Sequence, residues 1–150
     1  MVTTATSKFA SAVRKMMGKD VVEFFLEVEP SPASRPRVTR MGNVYYGKLY
    51  DQFRKDAKAA LRSYTGSPIE GDIICLVEII GTKPKTTKRG HPRGDCDNFV
   101  KGPLDAMTDV GSFWTDDDQI TCLAVTKRYA EEGETPGVRI FLKEANHVAS

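Results

Sequence analysis

Asp72-Ile73-Ile74-Cys75-Leu76-Val77-Glu78-Ile79-Ile80 is the stretch whose reading decides the fold. It is nearly continuous in apolar and β-branched side chains, so it reads as a central strand with both faces covered and Cys75 in the core. Working outward, Val21–Val28 is β-rich and alternates, as do Ile120–Arg128 and Gly137–Leu142, the last two split by a turn-like Glu131–Pro136. Val44-Tyr45-Tyr46 reads as a short return strand after a turn at Met41-Gly42-Asn43. From Leu49 to Tyr64 the apolar residues Leu49, Phe53, Ala57, Ala60 and Leu61 recur at helical spacing, and Gly66-Ser67-Pro68 stops the run. A second helix is predicted from Asn98 to Val110, with Asp97 as a capping residue and Gly111 ending it. Gly102-Pro103 lies inside it and predicts a kink or a first turn of other geometry.

These elements predict an α+β fold: one compact domain over residues 21–143, with a mixed β-sheet and two main helices packed on it. A chain of 150 residues suits one domain with a real core. Residues 1–20 carry Lys8, Arg14, Lys15 and Lys19 among Ser, Thr and Ala, with no acid before Asp20. They lack the apolar core of a secretory signal and read as a flexible tail or a short helix. Residues 144–150 read as a frayed tail. No apolar run approaches the ~18 residues of a membrane span. Three widely spaced cysteines fit neither a disulfide framework nor a zinc ribbon, which points to a reducing, cytoplasmic setting.

The net charge of +2 hides an asymmetry. Residues 1–94 hold 17 Lys/Arg against 9 Asp/Glu, and residues 95–150 hold 5 against 11. A basic front half suits a polyanion partner, although such charges can also simply mix on a folded surface. Within it, the proline-stiffened segment 30–40 presents Arg35, Arg37 and Arg40, with Tyr45 or Tyr46 available to stack on a base. Gly81–Gly94 is an acid-free loop carrying Lys83, Lys85, Lys88, Arg89 and Arg93, expected to stay mobile until an anion orders it. His91 in that loop reads as a phosphate or solvent contact.

That loop runs into Asp95-Cys96-Asp97-Asn98-Phe99-Val100-Lys101, answered later by Asp116-Asp117-Asp118-Gln119. Taken singly, the aspartates are explained by helix capping and by a polar turn. Together, five carboxylates facing a basic loop repel one another unless a cation sits between them. Mg²⁺ is commonly held by a few carboxylates with room left for water and phosphate. Lys101 makes no sense as a ligand but suits a phosphate undergoing reaction. Calcium-loop, Walker-type, nucleophile-elbow and zinc patterns are all missing.

Asp-x-Asp-Asn-x-x-Lys, followed by Leu104-Asp105-Ala106-Met107, Gly111, Trp114 and Asp-Asp-x-Gln-Ile, resembles the RusA family of Holliday-junction resolvases, as does the upstream Arg-Pro-Arg-Val-Thr-Arg. The resemblance implies a RusA-like fold and a metal-dependent, structure-specific endonuclease that resolves four-way junctions in recombination and repair. It implies catalytic roles for Asp95, Asp97, Lys101 and Asp117, with Asp95, Asp97 and Asp117 on Mg²⁺, or Mn²⁺ as an alternative, and no small-molecule cofactor. Asp116 and Asp118 stand close enough to be confused with Asp117. Arg35, Arg37, Arg40, Lys83, Lys85, Lys88, Arg89 and Arg93 would then contact branched DNA, and the two-fold symmetry of a junction suits a homodimer. A flap nuclease, or a silent DNA-binding module of the same fold, is the alternative. The chain departs from the family at Gly94, where a basic residue commonly precedes the first aspartate, and in the turn 111–114, which looks one residue longer.

Overall fold

The computed structural model describes residues 8–18, 20–34, 37–45 and 47–145. Arg35 and Tyr46, both offered by the sequence as nucleic-acid contacts, lie outside the described residues, as do residues 1–7 and 146–150. Helix α1 spans Lys8–Met17 and β1 Val22–Leu26; β2 (Arg37–Val38) and β3 (Val44–Tyr45) form a small hairpin. They are followed by α2 (Lys48–Leu61), β4 (Ile73–Gly81), α3 (Cys96–Val110), β5 (Ile120–Tyr129) and β6 (Gly137–Glu144). The main sheet has the order β1-β6-β4-β5. β6 is antiparallel to both β1 and β4, whereas β5 runs parallel to β4. The fold is α+β with a mixed sheet, as its pattern predicts. Among the described residues no helix is long and apolar enough to cross a membrane.

β4 is buried at every position but Ile74, the consequence of layers on both faces. Its alternate residues Ile73, Cys75, Val77 and Ile79 join Val138, Ile140 and Leu142 of β6 in the main core. Phe53, Ala57 and Leu61 of α2 and Phe99, Val100, Leu104 and Met107 of α3 cover that face. Burial pushes the Cys75 thiol up to about 12, which leaves it an inert core residue.

Two expectations give way to the structure. Helix α3 runs as one element through Gly102-Pro103, both buried, with Asp95 rather than Asp97 as its N-cap. Gly102 is where α2 crosses: a Cβ there would lie 2.8 Å from Phe53 Cε1 and 3.2 Å from Tyr50 Cε2. The dipeptide thus marks close helix packing rather than a boundary. The flexible-tail reading of residues 1–20 also fails over Lys8–Met17, where the short-helix alternative holds. Phe9, Ala10, Val13 and Met17 share one helical face and pack on Leu76 and Phe141, covering the sheet's second face.

That second face also carries an alternating ladder of charges. Arg14 of α1 grips Glu23 of β1 with two nitrogens, and Arg139 of β6 reaches Glu23 at 3.4 Å and Glu78 of β4 at 3.6 Å. Glu78 also takes Arg128 of β5 at 3.3 Å, and Arg128 forks onto Glu134 at 2.6 and 2.7 Å. Glu78 and Arg139 are buried and compensate each other together with a second partner each, Arg128 for Glu78 and Glu23 for Arg139. Glu78→Met alone should therefore cost about 3 kcal/mol or more, because it removes a carboxylate shared by two guanidinia and leaves the buried Arg139 with the 3.4 Å contact to Glu23. The double change Glu78→Met/Arg139→Met should cost less than that single change, as read by urea denaturation.

Candidate active site

Because β4 and β5 are parallel, the chain must travel back across the sheet between them. That return path carries the basic loop, α3 and a short 3₁₀ turn at Asp117–Gln119. Nearly every residue that the sequence offers for chemistry lies on it. Lys83, Lys85, Lys88, Arg89 and Arg93 are exposed, as are Arg37 and Arg40 on the β2–β3 hairpin. None of these seven side chains meets a carboxylate among the described residues. The contrast with α2 is instructive: its Lys55 and Lys58 are bound to Asp51 at 3.1 Å and Asp109 at 2.9 Å.

Asp95 is the N-cap of α3, yet its side chain makes no capping hydrogen bond. Asp97, in the first helical turn, is exposed like Asp95, and neither carboxylate has a partner among the described residues. Capping therefore does not account for the pair. Lys101 lies one turn after Asp97, exposed and without a carboxylate partner among the described residues.

The later acidic turn is built differently. Asp116 accepts from the amide of Asp118 at 3.2 Å, while Gln119 Oε1 accepts from the amides of Thr115 at 2.8 Å and Asp116 at 3.1 Å. Gln119 Nε2 donates to Ile69 O at 2.8 Å and Gly71 O at 3.0 Å, tying the turn to the segment before β4. The approach to the turn is anchored by Phe113, stacked 4.3 Å from Tyr64 and 5.0 Å from Phe24, and by Trp114, whose Nε1 donates to Thr108. Asp116 and Gln119 thus hold the turn, which presents Asp117, half-buried, and Asp118, exposed. Burial raises the Asp117 pKa above the ordinary carboxylate range, and the Asp116 hydrogen bond and the charges of Asp116, Asp105 and Asp118 raise it further.

Asp105 of α3 is thus a neighbour of Asp117 that the sequence reading left out of its site. The signal was present: Asp97, Lys101 and Asp105 repeat at one-turn spacing on one face. The structure does not bring Asp95, Asp97 and Asp117 into a single ready-made cage. Among the described residues no three carboxylate, histidine or cysteine side chains form a group able to hold a metal ion. The donor set nevertheless fits Mg²⁺, a hard cation that takes one or two carboxylates and fills its remaining positions with water and substrate phosphate.

Gly94 accounts for the chain's departure from the expected basic residue. It sits at φ 119°, and a Cβ there would lie 2.9 Å from Phe99 Cε2 and 3.1 Å from Pro32 Cβ. The cation arrives instead from β5: Lys127 Nζ donates to Pro92 O at 3.1 Å and to Gly94 O. Sequence alone hid this contact, because the two segments lie 33 residues apart.

Two outcomes are expected. Lys127→Met should cost about 1–3 kcal/mol and speed amide hydrogen exchange over residues 92–97, read by mass spectrometry. Asp117→Asn should raise Tm at neutral pH. A carboxyl whose folded pKa is raised contributes stability below its unfolded pKa and loses it as pH rises through the folded value. The asparagine removes that loss, so the gain over wild type should vanish in acid, as a pH series of thermal melts would read.

Comparison with individual curated proteins gives no match. The family model for endodeoxyribonuclease RusA matches residues 27–143, from the end of β1 to the end of β6. The match takes in the β2–β3 hairpin, the basic loop, α3 and the acidic turn, so the residues built up above are the family's own segment. The chain belongs to the RusA family of endodeoxyribonucleases.

Proposed function

We propose that this chain is a Mg²⁺-dependent endonuclease that resolves four-way DNA junctions by paired phosphodiester hydrolysis, in DNA recombination and repair. One observation carries the reading. Two aspartates at the start of α3 keep their carboxylates free of capping, directly after a loop whose cations meet no carboxylate among the described residues. A structural turn would engage those groups; a metal-and-phosphate site leaves them open. Family membership supplies the reaction class.

Asp95, Asp97 and Asp117 would hold Mg²⁺, with Mn²⁺ as the alternative ion. The bound ion supplies a water of lowered pKa and a polarised phosphate. Lys101 stabilises negative charge that builds on the phosphoryl oxygens or on the leaving oxygen. Lys127 holds the Pro92–Gly94 backbone so that Asp95 is presented in one place. Arg37, Arg40, Lys83, Lys85, Lys88, Arg89 and Arg93 grip phosphates and orient the substrate without reading its sequence, and Arg35 belongs to the same set. The products are a 5′-phosphate and a 3′-hydroxyl. A two-fold homodimer places equivalent sites on opposing strands.

The test is cleavage of a labelled four-way junction against matched duplex and flap DNA, with Mg²⁺ and with EDTA. Symmetric cuts on the junction alone, lost in EDTA, are expected. Asp97→Asn should slow cleavage by at least ~10²-fold while salt-sensitive junction binding persists. Wild-type rates from that variant would remove Asp97 from the site. Preferential flap cutting would keep the chemistry and change the substrate.

A further inference from the structure

Beside the N-terminus of α3 lies a cleft of about 420 Å³, set between the segment after β1 and the basic loop. Its lining is largely apolar, with Pro30, Pro32 and Pro92 and the rings of Phe99 and Tyr129 among it. Arg89 and Arg93 complete the lining. Both arginines are exposed, and neither meets a carboxylate among the described residues. The walls are stitched together by Glu29, whose two oxygens accept from the amide and the hydroxyl of Thr82 at 2.9 and 2.8 Å. Next to the lining residues Pro32 and Phe99, Ala33 N donates to Asn98 O at 2.8 Å. The cleft is therefore preformed.

Three features narrow the occupant. Its size falls within the range of small-molecule pockets and exceeds what a single side chain needs. A lining of proline and aromatic rings with one half-buried tyrosine suits a planar ring, and base–aromatic stacking tolerates any base. The two arginines, which meet no carboxylate among the described residues, favour an attached anion. Position adds the last constraint. Phe99 follows Asp95 by one turn of α3, and Arg93-Gly94 joins the cleft to Asp95 directly.

We propose that this cleft receives one unstacked nucleoside of the bound DNA, a base turned out at the branch, with its phosphate on Arg89 and Arg93. The proposal rests on the junction-nuclease reading above. Seating one base there fixes the strand next to Asp95 and Asp97, so the cut falls at a set distance from the branch. The base stacks on Tyr129, and no covalent step is involved.

The experiment scans a single abasic site through the nucleotides around the branch of a four-way junction, measuring binding in EDTA so that no strand is cut. For wild type, one position on each of two opposing strands should lose affinity by about tenfold. In Tyr129→Ala, removing that base should have no further effect, and Tyr129→Phe should restore the sensitivity. Thr87→Trp lies in the loop rather than in the sheet and fills the cleft from its rim; it should abolish the sensitivity while Tm is kept. An abasic penalty that is equal in wild type and both blocking variants overturns the proposal, as does the lack of any sensitive position. Binding of a free deoxynucleoside monophosphate with no abasic effect on DNA would make the cleft a mononucleotide site and overturn it too. Intact-junction cleavage by wild type is measured in parallel, so failure of the nuclease reading is seen separately.

Discussion

The parallel pairing of β4 with β5 is the constraint from which the candidate site follows. Antiparallel neighbours can be joined by two residues, but parallel ones need a connection that returns over the sheet. Here that connection begins after Gly81 and ends at Ile120. It leaves the end of β4 as the basic loop, crosses the core face as α3 and arrives at β5 through the acidic turn. Lys127, on β5, then bonds the carbonyls just before α3, so the strand that ends the crossover also holds its beginning. A chain with the same residues on a hairpin would have no reason to bring the cleft, the α3 N-terminus and β5 together.

Charge in this molecule falls into two populations with different physics. Arg14, Arg128 and Arg139 are engaged by Glu23, Glu78 and Glu134 across four strands. Their partners hold the Glu23 and Glu134 carboxyls below the ordinary range, chiefly through the hydrogen bonds from Arg14 and Arg128. Such partly buried pairs contribute to the fold and are weakly screened by salt. The cations of the 83–93 loop and the β2–β3 hairpin have no such partners among the described residues, and their exposure keeps them hydrated. Exposed, unpaired cations of the second kind are the ones suited to releasing counterions from a polyanion.

The same division explains what was legible in the sequence. The apolar run of β4, the alternation of β5 and β6 and the stop at Gly111 are local signals, and each element appears within a few residues of its expected bounds. Gly102-Pro103 carries a local signal for a kink or an altered first turn, but its tertiary setting, a helix crossing that needs the bare backbone of Gly102, is not local. The α1 segment looked like a tail because basic, Ser-rich composition masks a four-residue apolar face that has value only against Leu76 and Phe141. Local spacing drew attention to Asp95, Asp97 and Lys101 and to the cluster Asp116-Asp117-Asp118, and the resemblance to the family is what singled out Asp117 within that cluster. Lys127 and Gln119 act on backbone 33 and about 50 residues away, and no spacing rule reaches that far.

Asp95 shows why the acidic residues are better understood through chemistry than through stability. An aspartate at an N-cap ordinarily satisfies a free amide with its own carboxylate, worth about 1 kcal/mol to the helix. Here that bond is not made, although the residue occupies the position. The positive end of the helix still favours negative charge at Asp95 and Asp97, by roughly 0.3–1 kcal/mol each where exposed. The carboxylates are thus held in place by the helix without being saturated by it. At the far acidic turn the saturating role falls to Asp116 and Gln119, and Asp117 keeps a carboxyl that burial and its acidic neighbours make uncomfortable. Local rules are usually satisfied throughout a fold, and places that decline an available bond or retain a repulsion are where function is expected. In this chain both kinds of place lie on one crossover, beside cations that meet no carboxylate among the described residues.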